Sequence, residues 1–305
     1  MARIRCRGQL VRWLSIGFLI SAALVIAQPA LADVTGNTTT KGSRLEVLTR
    51  SGLEALAAEQ LAPPPEPPWY RYASSSACPG ARPGGGGADD LCSTAVLLCA
   101  GNTPEQGLGP AVYVFRREVD AAGDPVAGAA GNWDRWRYTC LPQLVPGASN
   151  ALTVEMIQDA FSDTDFTVPT VNIQPEGDLT LVNLPTFFEA KFPESGYGPG
   201  EIDEVDPARM LGHRVEVRPV LKSITYHLGD QTLGPTTSLG GPYPNGDVRA
   251  TYARPGTHEV RADIVYTGQF RVGGSDWFDI PGEVDLTGTA VTLTVAEAKS
   301  RLVTN

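Results

Sequence analysis

Residues 259–267 alternate between apolar and polar side chains except at Val265, and this pattern constrains the fold more than any other part of the sequence. The apolar set is Val260, Ala262, Ile264 and Tyr266, and the polar set is Glu259, Arg261, Asp263 and Thr267. A period of two is typical of a β-strand with one face buried and one face in solvent. Over residues 224–266, two apolar runs flank a centre rich in Gly, Pro and Thr, which indicates strands separated by turns.

The composition favours the same class of fold over the whole chain. The chain has 305 residues, of which 33 are Gly, 25 are Pro and only 19% are charged. Such a composition favours many turns and short strands over long helices. The length is enough for one large or two small domains.

Three turn and corner positions are expected to serve the architecture of a sandwich. Gly229 and Asp230 end a strand, because Gly accepts a positive φ and Asp can bond its own backbone. Pro255 and Gly256 predict a type II turn. Tyr252, just before that turn, suits a buried ring whose hydroxyl reaches the backbone, as in the tyrosine corner of immunoglobulin domains.

Two segments carry a family resemblance. The first is Tyr226-His227-Leu228-Gly229-Asp230-Gln231-Thr232, and the second is Thr251-Tyr252-Ala253-Arg254-Pro255-Gly256-Thr257. Together they resemble the two signatures of the PKD domain, a small immunoglobulin-like β-sandwich of extracellular and cell-surface proteins. The first segment departs from the family pattern at His227, Leu228 and Gln231. The resemblance covers residues 211–296.

The resemblance implies a PKD-like sandwich in which Tyr226, Gly229, Asp230, Tyr252, Pro255 and Gly256 are structural motif residues. The run Asn183-Leu184-Pro185-Thr186-Phe187-Phe188 is also similar to a segment of secreted PKD-containing proteins from high-GC Gram-positive bacteria. What the resemblance implies for function is interaction outside the cell.

The first 32 residues predict a cleaved signal peptide. Four Arg precede an apolar run at residues 14–27, and Ala30-Leu31-Ala32 gives the small-x-small pattern that signal peptidase reads. An uncleaved membrane anchor is the alternative, but the run is shorter than the roughly 20 apolar residues that a bilayer requires. We therefore expect a secreted or cell-surface protein with no stable membrane span after cleavage.

The charge of the chain argues against nucleic acid as a partner. The formal net charge is −10, and removal of a signal peptide with four Arg and no acidic residue would make it −14. A strongly acidic surface repels nucleic acid and anionic lipid. The partner we expect is a protein or polysaccharide of the cell envelope or exterior, and the sequence leaves the oligomeric state open.

Four cysteines remain after residue 32, namely Cys78, Cys92, Cys99 and Cys140. An even number in an exported chain predicts two disulfides, with three connectivities open. Our working expectation is Cys78–Cys92 with Cys99–Cys140. A zinc site is the alternative, but the chain lacks closely paired cysteines with a nearby His.

The N-terminal half predicts a helix over residues 44–61, a Pro-rich segment over 62–68 and an antiparallel strand pair over 111–117 and 133–138. A short helix is expected over 153–161, capped by Thr153. Trp69, Trp133 and Trp136 are candidate binding aromatics for a carbohydrate surface. The alternative is packing, with one ring in the core and another covered by Arg side chains.

We find no catalytic motif in the sequence, and we predict no cofactor, no metal site and no enzyme activity. The chain lacks a Gly-x-Ser-x-Gly elbow, a His-Glu-x-x-His pair and a phosphate-binding loop. A pair of carboxyl groups that meet in space within the N-terminal module stays open as an alternative, and it would make the protein a secreted hydrolase with the PKD-like domain as accessory.

The sequence thus predicts a mainly β protein with a PKD- or immunoglobulin-like C-terminal sandwich and a mixed, disulfide-stapled N-terminal module. The expected divisions are a signal peptide at 1–32, a helix and stalk at 33–68, the disulfide module at 69–175 and the sandwich at 176–305. The expected function is non-enzymatic interaction through β-sandwich modules.

Overall fold

The computed structural model describes residues 39–40, 43–83, 91–148 and 151–299. The predicted signal peptide at 1–32 lies outside the described residues. No helix in the described part of the chain is long and apolar enough to cross a membrane.

The described residues are mainly strands, and the prediction of a mainly β fold is confirmed. The helices are α1 (Arg50–Leu61), α2 (Ser93–Leu97) and α3 (Val154–Ser162), with 3₁₀ turns at Ala129–Gly131 and Pro142–Leu144. The strands are β1 (Thr39–Thr40), β2 (Ser43–Arg44), β3 (Trp69–Ser76), β4 (Val112–Val119), β5 (Asp134–Thr139), β6 (Thr170–Gln174), β7 (Leu179–Leu181), β8 (Thr186–Lys191), β9 (Asp203–Val205), β10 (Val215–Leu228), β11 (Gln231–Thr236), β12 (Arg249–Ala250), β13 (Gly256–Val272), β14 (Phe278–Leu286) and β15 (Val291–Ala296).

The largest sheet is built on the antiparallel pair β10 and β13. Their register runs from Val215 opposite Val272 to Leu228 opposite Val260. The sheet order is β11-β10-β13-β15-β7, with β9 added to β10 and β14 added to β13. The predicted alternation is confirmed, because the apolar set of residues 259–267 is buried and the polar set is half-buried or exposed.

Two hydrophobic cores lie along this long strand pair. One contains Ile157 and Phe161 of α3 together with Val217, Tyr266 and Phe270. In the other core, β6 and β8 pack against the last residues of β10 and the part of β13 that pairs with them, next to the turn at Gly229. Side chains from residues 152–173 therefore share cores with side chains from the C-terminal half of the chain.

A separate three-stranded antiparallel sheet, ordered β3-β4-β5, forms the N-terminal part of the fold. The predicted pairing of the strands near 111–117 and 133–138 is confirmed, since β4 pairs with β5. Helix α1 covers one face of this sheet, where Leu53 and Leu56 pack against Tyr72 and Val114.

Two disulfides join the segments around this sheet. Cys78 is bonded to Cys92 with 5.8 Å between their Cα atoms, and Cys99 is bonded to Cys140 with 5.7 Å. These are the two expected pairings. Cys99 and Cys140 lie in a buried cluster with Ala95, which connects α2 to the end of β5.

Helix α1 begins at Arg50 and not at residue 44, so the predicted start of this helix is wrong. Residues 46–48 instead lie extended beside β5, because the Leu48 N–H donates to the Tyr138 carbonyl and the Tyr138 N–H donates to the Glu46 carbonyl. Thr49 then caps the helix by accepting from the Gly52 N–H at 3.4 Å. The predicted Thr153 cap of α3 is confirmed.

The predicted type II turn at Pro255-Gly256 is also wrong. Such a turn needs a left-handed φ of about +80° at its Gly. Gly256 has φ of 159°, close to extended backbone, and it is the first residue of β13. The chain bends earlier, at Ala253 and Arg254.

Candidate functional site

The predicted motif residues hold the turn between β10 and β11 against β13. Tyr226 is fully buried and its hydroxyl donates to the Ser238 carbonyl at 3.0 Å. Tyr252 is 3% exposed, its hydroxyl donates to the Leu228 carbonyl at 3.3 Å, and burial raises its pKa to about 12. Asp230 is largely exposed. These contacts stabilise the turn and present no obvious binding surface.

The sheet β3-β4-β5 has a second face, which carries arginines. Arg71 on β3 lies directly opposite Arg117 on β4, and Ala73 lies opposite Phe115, which in turn lies opposite Arg135 on β5. Side chains of directly opposed residues point to the same side of a sheet. The three arginines therefore share one face, away from α1.

Aromatic rings contact two of these guanidinium groups. The guanidinium carbon of Arg117 lies 4.5 Å from the ring centre of Trp133, and that of Arg135 lies 4.7 Å from the ring centre of Tyr113. Trp69 is on the same face as Arg71, two residues earlier on β3. We call Arg71, Arg117 and Arg135, with Trp69, Tyr113 and Trp133, the arginine face.

Trp136 does not belong to the arginine face. It sits at an irregularity where Val114 pairs with Arg137 and Phe115 pairs with Arg135, so one residue of β5 has no partner on β4. Its ring packs against the core under α1, with the Arg116 and Arg137 guanidinium groups each 4.6 Å from its centre. Of the three candidate tryptophans, the structure brings Trp69 and Trp133 to one face and places Trp136 on the other.

Among the described residues, no acidic side chain forms an ion pair with an arginine of this face. Nε of Arg117 is buried and has no hydrogen-bond partner among those residues. By contrast, Arg137 on the opposite face binds Glu46 at 2.7 Å.

A cavity of about 410 Å³ opens at the Trp69 end of the arginine face. Its walls include Trp69, Arg71 and Val119, and the turn at residues 120–123 faces Pro64 across it. The indole Nε1–H of Trp69 donates to the Pro64 carbonyl at 2.8 Å, which fixes the ring at the cavity wall. Glu59 and Asp120 also line this cavity, so it carries carboxylates as well as the Arg71 guanidinium group.

This arrangement is suited to binding anions. A guanidinium group stacked on a ring keeps its N–H edge free, and that planar edge matches a carboxylate or phosphate in two parallel hydrogen bonds. Stacking also fixes the side chain in advance, so less conformational entropy is lost when a ligand binds. An extended ligand with negative groups and flat rings would contact the arginines through its charges and the aromatic side chains through its rings.

Two carboxyl groups of the largest sheet have a lowered pKa and accept hydrogen bonds from arginines. Burial acts to raise the pKa of Asp263, but hydrogen bonds from Arg261 and the Gly288 N–H outweigh it and the pKa is lowered. A hydrogen bond from Arg271 lowers the pKa of Glu216. A general acid needs a raised pKa, so neither group suits that role.

Within the described part of the chain, no group of three or more His, Cys, Asp or Glu side chains could hold a metal ion. Comparison of the chain with protein-family models, curated proteins and solved structures gave no match.

Sequence reasoning found two rings of the site and missed its arginines. The pattern around Trp133 showed alternating aromatics and charges, but nothing local shows that Arg71 lies opposite Arg117. The two residues are separated by the disulfide-bonded segment, and register across such a distance is not encoded in either strand alone. The usable signal would have been arginines at alternate positions of two strands already known to be neighbours.

Proposed function

We propose that this protein is an exported, non-enzymatic binding protein that uses the arginine face to hold an anionic polysaccharide of the cell envelope or exterior. The observation that carries the proposal is the pair Arg71 and Arg117. Like charges directly opposite each other destabilise a sheet. Here they face each other, no carboxylate among the described residues forms an ion pair with either, and an anionic ligand would supply that partner.

The net charge of the whole chain favours some classes of anionic ligand over others. A net charge of −10 disfavours a ligand with closely spaced negative charges, such as a nucleic acid with one charge per about 1.7 Å of duplex. A polysaccharide with at most one acidic group per sugar has sparse charge and also offers ring faces to Trp69 and Trp133. These two properties favour an acidic polysaccharide over a polyphosphate.

The two disulfides support an extracellular location. Disulfides form and persist in oxidising compartments, and they are rare in the reducing cytosol. Together with the predicted signal peptide, they support the proposal that the arginine face meets polysaccharides outside the cell. We also propose that residues 211–296 are a PKD-like domain, and the Tyr252 hydroxyl bond to Leu228 supports this because it ties the second signature to the first.

The direct test is binding to polygalacturonate by isothermal calorimetry, with the fully methyl-esterified polymer as the neutral control. We expect saturable binding of the acidic polymer that weakens as salt screens the charges. The triple variant Arg71→Gln/Arg117→Gln/Arg135→Gln should bind roughly 10- to 100-fold more weakly, since three charge-assisted contacts are lost.

The matched control is Arg50→Gln/Arg82→Gln/Arg254→Gln, which removes the same charge at exposed positions outside the β3-β4-β5 sheet. If both triple variants lose affinity equally, only net charge matters and the arginine face is not the site. If the wild-type chain binds the esterified polymer as well as the acidic one, the ligand class is wrong.

A further inference from the structure

A second concave site lies at the sheet β12-β8-β6, remote in sequence from the arginine face. Phe187 on β8 lies opposite Gln174 on β6 and opposite Arg249 on β12, so the three side chains form a row across this sheet. A cavity of about 740 Å³ opens over the row. That volume lies within the roughly 300–1,000 Å³ typical of ligand pockets.

Tyr243 forms the exposed aromatic wall of this cavity. It is 71% exposed, which is unusual for a ring of this size in a folded domain. Its ring meets Phe187 edge to face at 5.5 Å between centres and an angle of 82°. Phe187 itself is only 6% exposed, so it supports the tyrosine ring from below.

The tyrosine is held in place by its backbone. The Tyr243 N–H donates to Oε1 of Gln174 at 2.8 Å, and the Gly246 N–H closes the loop by donating to the Pro242 carbonyl at 2.8 Å. These bonds fix the backbone that carries the exposed ring, so less conformational entropy of the loop is lost on binding. This is the property of a binding platform.

Polar groups of opposite type stand around the ring. Arg249 can only donate hydrogen bonds, whereas the Glu176 carboxylate can only accept them. Both are exposed, and within the described residues neither forms an ion pair. The Gln174 amide uses its oxygen for Tyr243 and keeps its NH₂ group as a further donor.

We infer that this cavity binds a neutral pyranose sugar, with the sugar ring stacked on Tyr243. A hydroxyl both donates and accepts, so neighbouring hydroxyls of one sugar satisfy Glu176 and Arg249 together. The C–H face of a pyranose packs on a flat aromatic ring. The opposite charges of Glu176 and Arg249 leave the cavity without a strong preference for a charged ligand.

A proline-rich peptide is the competing occupant, since it also docks on aromatic grooves. Proline has no N–H, so such a peptide offers mainly carbonyl acceptors. Those acceptors suit Arg249 but leave the Glu176 carboxylate without a donor when its water is displaced, at a cost in affinity. The lining therefore favours the sugar.

The experiment is saturation-transfer NMR of the full chain with three neutral trisaccharides, namely cellotriose, maltotriose and N-acetylchitotriose. At least one is expected to bind the wild-type chain. Tyr243→Ala should weaken that binding by about 10-fold or more, and Tyr243→Phe should change it less than about 3-fold because the ring remains. Arg249→Gln should weaken it several-fold, whereas the exposed control Arg254→Gln should not.

Three results would overturn the inference. One is no binding of any trisaccharide at about 10 mM, which corresponds to a negligible affinity. Another is unchanged binding by both Tyr243→Ala and Arg249→Gln when circular dichroism shows them folded. The third is binding of decaproline that Tyr243→Ala abolishes. The arginine-face triple variant should retain trisaccharide binding, which separates this site from the proposed function.

Discussion

Gly229 is a position where the fold accepts no side chain. Its φ is 77°, and a Cβ atom built there would lie 2.5 Å from Nδ1 of His258 on β13. Both the left-handed backbone and the close approach of the imidazole ring require glycine. The turn after β10 therefore depends on this residue more than on the exposed Asp230 beside it.

We predict that Gly229→Ala lowers the free energy of unfolding by about 2–3 kcal/mol, from about 1–2 kcal/mol of backbone strain plus the clash with His258. Gly274→Ala is the matched control, because Gly274 has a similar φ of 82° and no heavy atom within 4 Å of its Cβ position. Urea unfolding of both variants measures the difference. Equal losses in the two variants would show that His258 does not restrict position 229. In a His258→Ala background, Gly229→Ala should lose no more stability than Gly274→Ala.

At the residue scale, the sequence predicted those positions whose conformation depends on adjacent residues in the chain. Gly229 and Tyr252 could be assigned from the turn and corner patterns, and the structure places both as expected. Gly256 could not, because a Pro-Gly pair suits several backbone conformations and the pairing of β13 with β15 selects the extended one. A local sequence pattern therefore did not show that β13 begins at Gly256.

At the scale of elements, the two disulfides link the N-terminal sheet to the segments that connect its strands. The Cys99–Cys140 bond spans 41 residues and joins the end of α2 to the end of β5, whereas Cys78–Cys92 spans 14 residues. A bond that closes a longer loop removes more conformational entropy from the unfolded chain. The two bonds should therefore differ in their contribution to stability.

Replacing Cys99 and Cys140 by Ser should lower the free energy of unfolding by about 4 kcal/mol, against about 3 kcal/mol for the matched pair Cys78 and Cys92. Thermal unfolding followed by circular dichroism gives the ranking. If the Cys78 and Cys92 variant is the less stable of the two, loop length does not govern the effect. Labelling of unreduced residues 33–305 by a thiol reagent would contradict the assignment of two disulfides.

The strands could be predicted more reliably than their partners. Alternation located β4, β5 and β13 from the sequence, since burial of one face leaves a period of two. The opposition of Arg71 and Arg117 could not be predicted, because it depends on how β3 and β4 align after about 40 intervening residues. The start of α1 was misplaced for a similar reason, as residues 46–48 are held extended by β5.

At the scale of the whole molecule, the arginine face lies apart from the two cores of the largest sheet and opposite the core under α1. The cores follow β10 and β13, where α3 and β6 from earlier in the chain pack against them. The arginine face lies on the smaller sheet, whose other side rests on α1. Variants of the three arginines should therefore change binding and leave the fold intact.

The measurement that tests the central claim most directly is binding of the purified chain to isolated cell envelopes of the producing cell, at low and high salt. The account predicts saturable binding that salt weakens, and a loss of about 10-fold or more for Arg71→Gln/Arg117→Gln/Arg135→Gln but not for Arg50→Gln/Arg82→Gln/Arg254→Gln. Equal binding by the wild-type chain and the first triple variant would contradict the assignment of the arginine face as the binding site.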